Sequence, residues 1–343
     1  MQKYRTLLLL LAAYAAATWL PGPGLWLRNI DLLSTSIRPP QVLLAALLFS
    51  AGLCSSRGAV QTIVSSRERL LLLALAAWLV PLAAALCATL GIYGLLGGPA
   101  SVALGIVIVA AMPVANSSVG WATSMGGSVP LSIALLVVGT ALSPLLTPMV
   151  IGAGAISLGT AEEALTRTPW SEGMGLFFLV WVLIPVLLGV WSASRFSPSI
   201  SERVVPAARS MSFIILILLN YLNGAPCLPA LAQQPHLLIW PVLASGTLLL
   251  LSSGCVWLVP RLLPVAQLVP VATPALPSSS EPPPAERISL LLAVVMRNTG
   301  AALVFAGAAL PEYVLVSLTI IAYTMLQHCW VGFFLSPQAS VND

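Results

Sequence analysis

Apolar residues along this chain come in long runs separated by short polar stretches, with neither the alternation of a half-buried strand nor the narrow stripe of a surface helix. A helix needs about 17 to 25 such residues to cross a hydrocarbon core roughly 30 Å thick. The runs predict ten spans, at 7–20, 41–54, 70–90, 100–125, 129–153, 173–193, 210–222, 237–258, 288–310 and 313–335. The first, second and seventh are short or flanked by proline. The first also has Lys3 and Arg5 ahead of a leucine run and small residues at Ala13 and Ala15, as a secretion signal does, but the even count needs it as a span.

Two runs carry polar residues near their middles. The fourth contains "AAMPVANSSVGWATSMGG" and the ninth "AVVMRNTGAALVFAG", each interrupted by Asn, hydroxyls and Gly. Backbone that leaves the helix at membrane depth is tolerated where it is buried in protein or lines a cavity, so paired interruptions point to a binding site. Five spans separate them, an odd number, which gives the two halves opposite orientations. The chain thus reads as two inverted repeats, residues 1–153 and 154–343. Arg297 lies in the ninth run, nine residues after Ile288. At 1.5 Å per residue that is about 13 Å along a helix, near the bilayer centre, where a guanidinium costs about 2.5 to 3.5 kcal/mol on insertion scales.

Composition agrees. Hydrophobic residues make up 59% of the 343, charged residues 7%, and mean hydropathy is +1.00, which places the chain among all-α polytopic membrane proteins. The sequence pI near 9.0 arises from scattered loop arginines rather than a basic surface, so nucleic acid is not an expected partner. With ten spans, ten of the fourteen basic residues fall at the N-terminus or in loops on its side and three (Arg28, Arg38 and Arg167) on the other. The positive-inside rule then puts both termini in the cytoplasm, in a plasma (inner) membrane. The fourteenth is Arg297, and every acid lies in a loop, a tail or at a span edge. The Pro/Ser-rich segment 268–287 reads as an extended cytoplasmic connection. Cys54, Cys87, Cys227, Cys255 and Cys329 are far apart and suit neither a metal site nor a disulfide framework; they read as packing residues. No GxSG, HExxH or pair of membrane aspartates supports an intramembrane enzyme.

Several pieces together resemble the bile acid:sodium symporter family: "LLFSAGL" in the second span, Pro81, "LSIALLVVGTALSPLLTP" in the fifth, "MRNTG" in the ninth and His328 in the tenth. The resemblance implies a panel domain of spans 1, 2, 6 and 7, a core domain of spans 3–5 and 8–10, and unwound spans four and nine crossing beside a substrate cavity. It also implies two sodium sites, whose positions here are degenerate. Ser118 and Ser132 match hydroxyl ligands, but Val119 and Leu136 stand where further ligands belong, Ala293 replaces the shared acid three residues before Met296, and Ala76 and Arg297 replace glutamines. Sodium needs several hard oxygens and a balancing carboxylate, and these side chains supply neither.

Arg297 therefore stands where a cation would, and is expected to act as a fixed positive charge for an anionic substrate or to satisfy the unwound backbone. Asn116, Ser117 and Ser118 of the fourth span and Arg297, Asn298 and Thr299 of the ninth are the substrate-binding candidates. His328 is a possible proton carrier, and Asn220 and Asn223 are expected to face the cavity from the panel. Trp19, Trp26, Trp170 and Trp240 read as interface anchors. The functional expectation is an organic-anion transporter working by alternating access in the lipid bilayer, without sodium, metal or other cofactor. The alternatives are a sodium- or proton-coupled symporter of the same fold and a non-transporting receptor or scaffold.

Overall fold

Apolar segments deprived of water must satisfy their backbone internally, and short of a closed barrel only a helix does so within one segment. The computed structural model describes residues 2–32, 37–54, 67–159, 170–262 and 284–334, and among them the regular elements are helices. We label them α1 (Gln2–Trp19), α2 (Pro21–Arg28), α3 (Pro39–Leu53), α4 (Arg67–Thr89), α5 (Ala100–Ala111), α6 (Ser117–Ser124), α7 (Val129–Ser157), α8 (Trp170–Phe178), α9 (Ile184–Arg195), α10 (Pro198–Gly224), α11 (Pro229–Gln233), α12 (Ile239–Leu262), α13 (Pro284–Val295), α14 (Thr299–Ala309) and α15 (Val314–Phe334). A π-helical stretch, Leu90–Leu95, continues α4, and another, Leu179–Leu183, joins α8 to α9.

Six helical segments among the described residues are long and apolar enough to cross a membrane: Leu70–Leu95, Val129–Ser157, Gly173–Arg195, Ser199–Gly224, Pro235–Leu258 and Val314–Phe333. A seventh exists if α1 and α2, bent by 92° at Leu20, count as one. Three of the expected spans are not among these seven. The second is α3, of only 15 residues, about 22 Å long and shorter than the hydrocarbon core. The fourth and ninth are each split into two short helices, α5/α6 and α13/α14. The seventh is longer than expected, because α10 starts at Pro198 and runs through polar turns and Pro206. Of the segment 268–287, residues up to 283 lie outside the described ones; Pro284–Arg287 form the first turn of α13 rather than extended chain, with proline where a missing N–H costs nothing.

α3 packs on α9 and α10, α1 on α10, and α15 on α5 and α12. At the α3–α9 contact a Cβ on Gly52 would lie 2.9 Å from the Gly189 Cα, and one on Gly189 would meet the Phe49 carbonyl and come within 2.9 Å of the Gly52 Cα. Only hydrogen fits at both, and in lipid such close backbone approach is what holds helices together. α5, α13, α14 and α15 carry much of the buried apolar core, including Leu104, Ile106, Val294, Val295, Leu303 and Ile320. Cys87 is exposed, so not all the cysteines are packing residues. Trp19 and Trp26 are exposed, Trp240 is half-buried beside Gly98, and the side chain of Trp170 lies outside the described residues.

Candidate functional site

Helix α5 ends where Pro113 removes an N–H, and α13 ends at Val295; the chain is irregular from Met112 to Asn116 and from Met296 to Asn298. The two breaks lie side by side, antiparallel at Val114 and Arg297. The Ala115 N–H donates to the Met296 carbonyl at 2.8 Å and the Asn298 N–H to the Pro113 carbonyl at 2.9 Å. Each break thus pairs backbone groups that the other helix lost.

Side chains complete the pairing. The Thr147 hydroxyl donates to the Ala111 carbonyl at 2.7 Å, the Tyr323 hydroxyl to the Val295 carbonyl at 2.8 Å, and the Arg297 N–H to Gln327 Oε1 at 3.0 Å. Gln327 Nε2 reaches the Thr299 hydroxyl at 3.4 Å. The Asn298 side chain accepts from the Ala301 N–H at 3.0 Å and so starts α14 as an N-cap. Buried backbone polar groups demand partners, and these residues are how the breaks obtain them.

Arg297 lies at the centre and is wholly buried. Its Nη1 donates to the Ala77 carbonyl at 2.9 Å and the Ala293 carbonyl at 3.4 Å; Nη2 donates to the Ala110 carbonyl at 3.0 Å and also to that of Met112. The guanidinium carbon is 5.5 Å from the ring centre of Trp78, within the range of a cation–π contact. Four carbonyls from α4, α5, α13 and the first break therefore surround one cation. Its four terminal N–H groups are taken and only the buried Nε–H is without a partner, so the fork has no pair left for a substrate carboxylate.

A cavity of about 750 Å³ lies beside the breaks. Ala115, Asn116, Ser117, Asn298 and Thr299 line it from the breaks, and Arg297 touches its edge; Thr324, Gln327 and His328 line it from α15. α3 contributes Leu47, Ala51 and Cys54, and α10 contributes Arg209, Ser212, Phe213 and Leu216. Both sets recur at helical spacing, so each helix presents one face. Ser118, expected on this surface, is not part of the lining; it is 1% exposed and its hydroxyl has no partner, as is also true of the buried Ser132. Val119 and Leu136 line the cavity, whereas Met296 is buried and gives its carbonyl to Ala115. Ala76 is half-buried, and the α4 contact to the guanidinium comes from its neighbour Ala77.

Asn220 and Asn223 do not line the cavity as expected. Asn220 accepts from the Tyr14 hydroxyl at 2.6 Å and donates to the Leu216 carbonyl, and Asn223 accepts from Arg28 Nη1 at 2.9 Å. Arg28 Nη2 donates to the Gly307 carbonyl at 3.1 Å, which ties α2, α10 and α14 together at the end away from Arg209. His328 Nδ1 lies 2.8 Å from the Thr324 carbonyl, which only accepts, so Nδ1 carries the proton of the neutral ring; Nε2 is buried without a partner.

The profile of the sodium bile acid symporter family matches residues 41–225, more than half of the chain. The chain belongs to this family. No curated protein matches it significantly. The family assignment makes this a membrane transporter fold, and the matched stretch spans α3 to the end of α10, including the first break and the α10 face of the cavity. The second break and its arginine lie outside that stretch. Sequence reasoning missed Thr147, Tyr323, Trp78 and Gln327. Gln327 alone had a signal, an amide beside His328 inside an apolar run.

Proposed function

We propose that this family member is a secondary transporter of a small organic anion that works by alternating access without sodium, with Arg297 as a permanent cation at the family's second sodium site. The observation that carries this reading is the convergence of four carbonyls, from Ala77, Ala110, Met112 and Ala293, on one guanidinium at the paired breaks. Carbonyl oxygens are what proteins use to replace the water around a monovalent cation. Here the cation is part of the chain and cannot leave. The apolar residues Ala76, Val119, Leu136 and Ala293 support the same reading, because none offers a side-chain oxygen.

In this reading ten spans form two inverted halves, 1–153 and 154–343, with the breaks in spans four and nine and both termini on the cytoplasmic face of the plasma membrane. Spans 1, 2, 6 and 7 move as a panel against the core. Two features support alternation: Arg28 bridges helices of both groups at one end, and the exposed Arg209 lines the cavity toward the other.

The test is uptake of labelled taurocholate and smaller carboxylates by proteoliposomes, with sodium replaced by choline at constant ionic strength. Equal uptake in both media is the expected result. A fall of about tenfold, roughly 1.4 kcal/mol of coupling, overturns the sodium-free mechanism. A sodium-coupled reading has one observation in its favour, the buried and unpartnered hydroxyls of Ser118 and Ser132, and that same fall would establish it. Absence of uptake of every anion in either medium makes the protein a receptor or scaffold.

A further inference from the structure

Transport without sodium leaves uphill uptake to be driven by another ion. Among the described residues of the cavity lining, His328 is the side chain whose type ordinarily changes charge between about pH 5 and 8. It shares one face of α15 with Thr324 and Gln327, at i, i+3 and i+4. Gln327 accepts from the Arg297 N–H and donates to the Thr299 hydroxyl, which holds this face against the second break. His328 itself is only 4% exposed. Its Nδ1 donates to the Thr324 carbonyl at 2.8 Å, and Nε2, which carries the lone pair of the neutral ring, has no partner.

The charges around the ring decide when it takes a second proton. Among the described residues the lining holds two guanidiniums, of Arg209 and Arg297, and no carboxylate. Of the elements packed on α15, α1 brings Tyr14, whose hydroxyl donates to Asn220 and reaches the Thr324 side chain, α12 brings Cys255, and the turn Pro235–Leu238 brings His236. α5 and α14 bring no titratable group, and the side chains of Lys3, Tyr4, Arg5 and Arg261 lie outside the described residues. α15 itself carries Tyr323, which donates to the Val295 carbonyl, and Cys329. None of these is an acid that would balance an imidazolium. A proton on Nε2 adds positive charge to a largely apolar surrounding that already holds two cations, and an organic anion in the cavity is what offsets it.

Resting on the organic-anion reading above, we propose that His328 is the coupling site and that the protein is a proton–anion symporter. With the cavity open to one side and an anion inside, the Nε2 lone pair takes a proton from water. When the cavity opens to the other side the anion leaves, the proton returns from Nε2 to water, and the ring is neutral again. The Thr324 carbonyl holds Nδ1–H in both states, so Nε2 is the nitrogen that gains and loses the proton. By linkage, proton and anion each raise the affinity for the other by the same factor.

The probes are labelled taurocholate and oxalate, which stay ionised in mild acid and do not cross lipid as neutral species. Uptake by proteoliposomes is compared at about pH 7.5 on both sides and with about pH 5.5 outside, the membrane potential being clamped by potassium and valinomycin. External acid is expected to raise the parent's initial rate about tenfold. In His328→Asn the amide nitrogen falls where Nδ1 was and can still donate to Thr324, but it cannot titrate, so whatever rate this variant has is expected to be equal in both conditions. A parent rate indifferent to the gradient, or a response that survives in His328→Asn, overturns the coupling and leaves the transporter reading standing. If the variant is inactive, the parent still decides. The chain has two histidines, so in His236→Gln protein isotope-labelled at the ring nitrogens every imidazole resonance belongs to His328. At about pH 6 Nε2 is expected to be unprotonated without ligand and protonated with whichever probe is taken up. The same protonation state in both overturns the proposal. No uptake of either probe in any condition overturns the organic-anion reading, and the coupling falls with it.

Discussion

The paired breaks and the α3–α9 contact hold helices together by opposite means. At the breaks, backbone groups freed at Pro113 and Val295 are satisfied by backbone pairing and by Thr147, Arg297, Tyr323 and Gln327. At the α3–α9 contact no side chain intervenes, and Gly52 and Gly189 let two intact helices touch. In a medium as apolar as the side chains themselves, these are the two available sources of cohesion, polar bonds and close packing. The difference lies in what else each permits. A polar junction tolerates irregular backbone and can border a cavity, as this one does; a glycine contact needs regular helices on both sides and carries no chemistry.

Substitutions separate the two. Arg297→Ala is expected to have the largest effect, since it abandons four buried carbonyls at about 1 kcal/mol or more each. The melting temperature in detergent should fall steeply and transport should be lost, with Arg297→Lys recovering part of the stability because an ammonium still donates to some of those oxygens. A parent-like melting temperature for Arg297→Ala would mean that the breaks do not depend on the arginine. Gly189→Ala comes next, at about 1 to 3 kcal/mol, because its methyl group would overlap the Phe49 carbonyl and force α3 and α9 apart. It should lower stability while leaving ligand affinity unchanged, since neither glycine lines the cavity. An affinity change without a stability change would place this contact in the transport cycle rather than in the scaffold. Tyr323→Phe is the mildest, about 1 kcal/mol from one unpaired Val295 carbonyl. Thermal unfolding of the single variant and of the pair with Arg297→Lys would show whether the two side chains act as one network, which a simply additive result excludes.

Much of this arrangement was legible in the chain, and the failures are specific. The ends of α7, α12 and α15 fall close to the apolar runs that predicted them, because a run of that length has little alternative to a helix. The start of α10 was missed because Ser201, Glu202 and Arg203 look like loop residues, yet two polar turns can extend a helix beyond its apolar part. The bend between α1 and α2 follows from Pro21 and Gly22, but its 92° angle is set by what α2 packs against. Asn220 and Asn223 were placed on the cavity by their polarity, and the structure instead spends them on Tyr14 and Arg28.

By itself the amino-acid sequence determined the helical membrane class, the two polar interruptions and the presence of a lone arginine in one of them, because these depend on residue types and their spacing along one dimension. What surrounds Arg297 was decided only by the tertiary structure. Its partners are the carbonyls of Ala77, Ala110, Met112 and Ala293, and every residue has a carbonyl, so no pattern of side chains marks those four. Which arginine is spent on the fold and which is left facing the cavity depends on which backbone groups the packing leaves unpaired, and that is settled only when the two breaks meet.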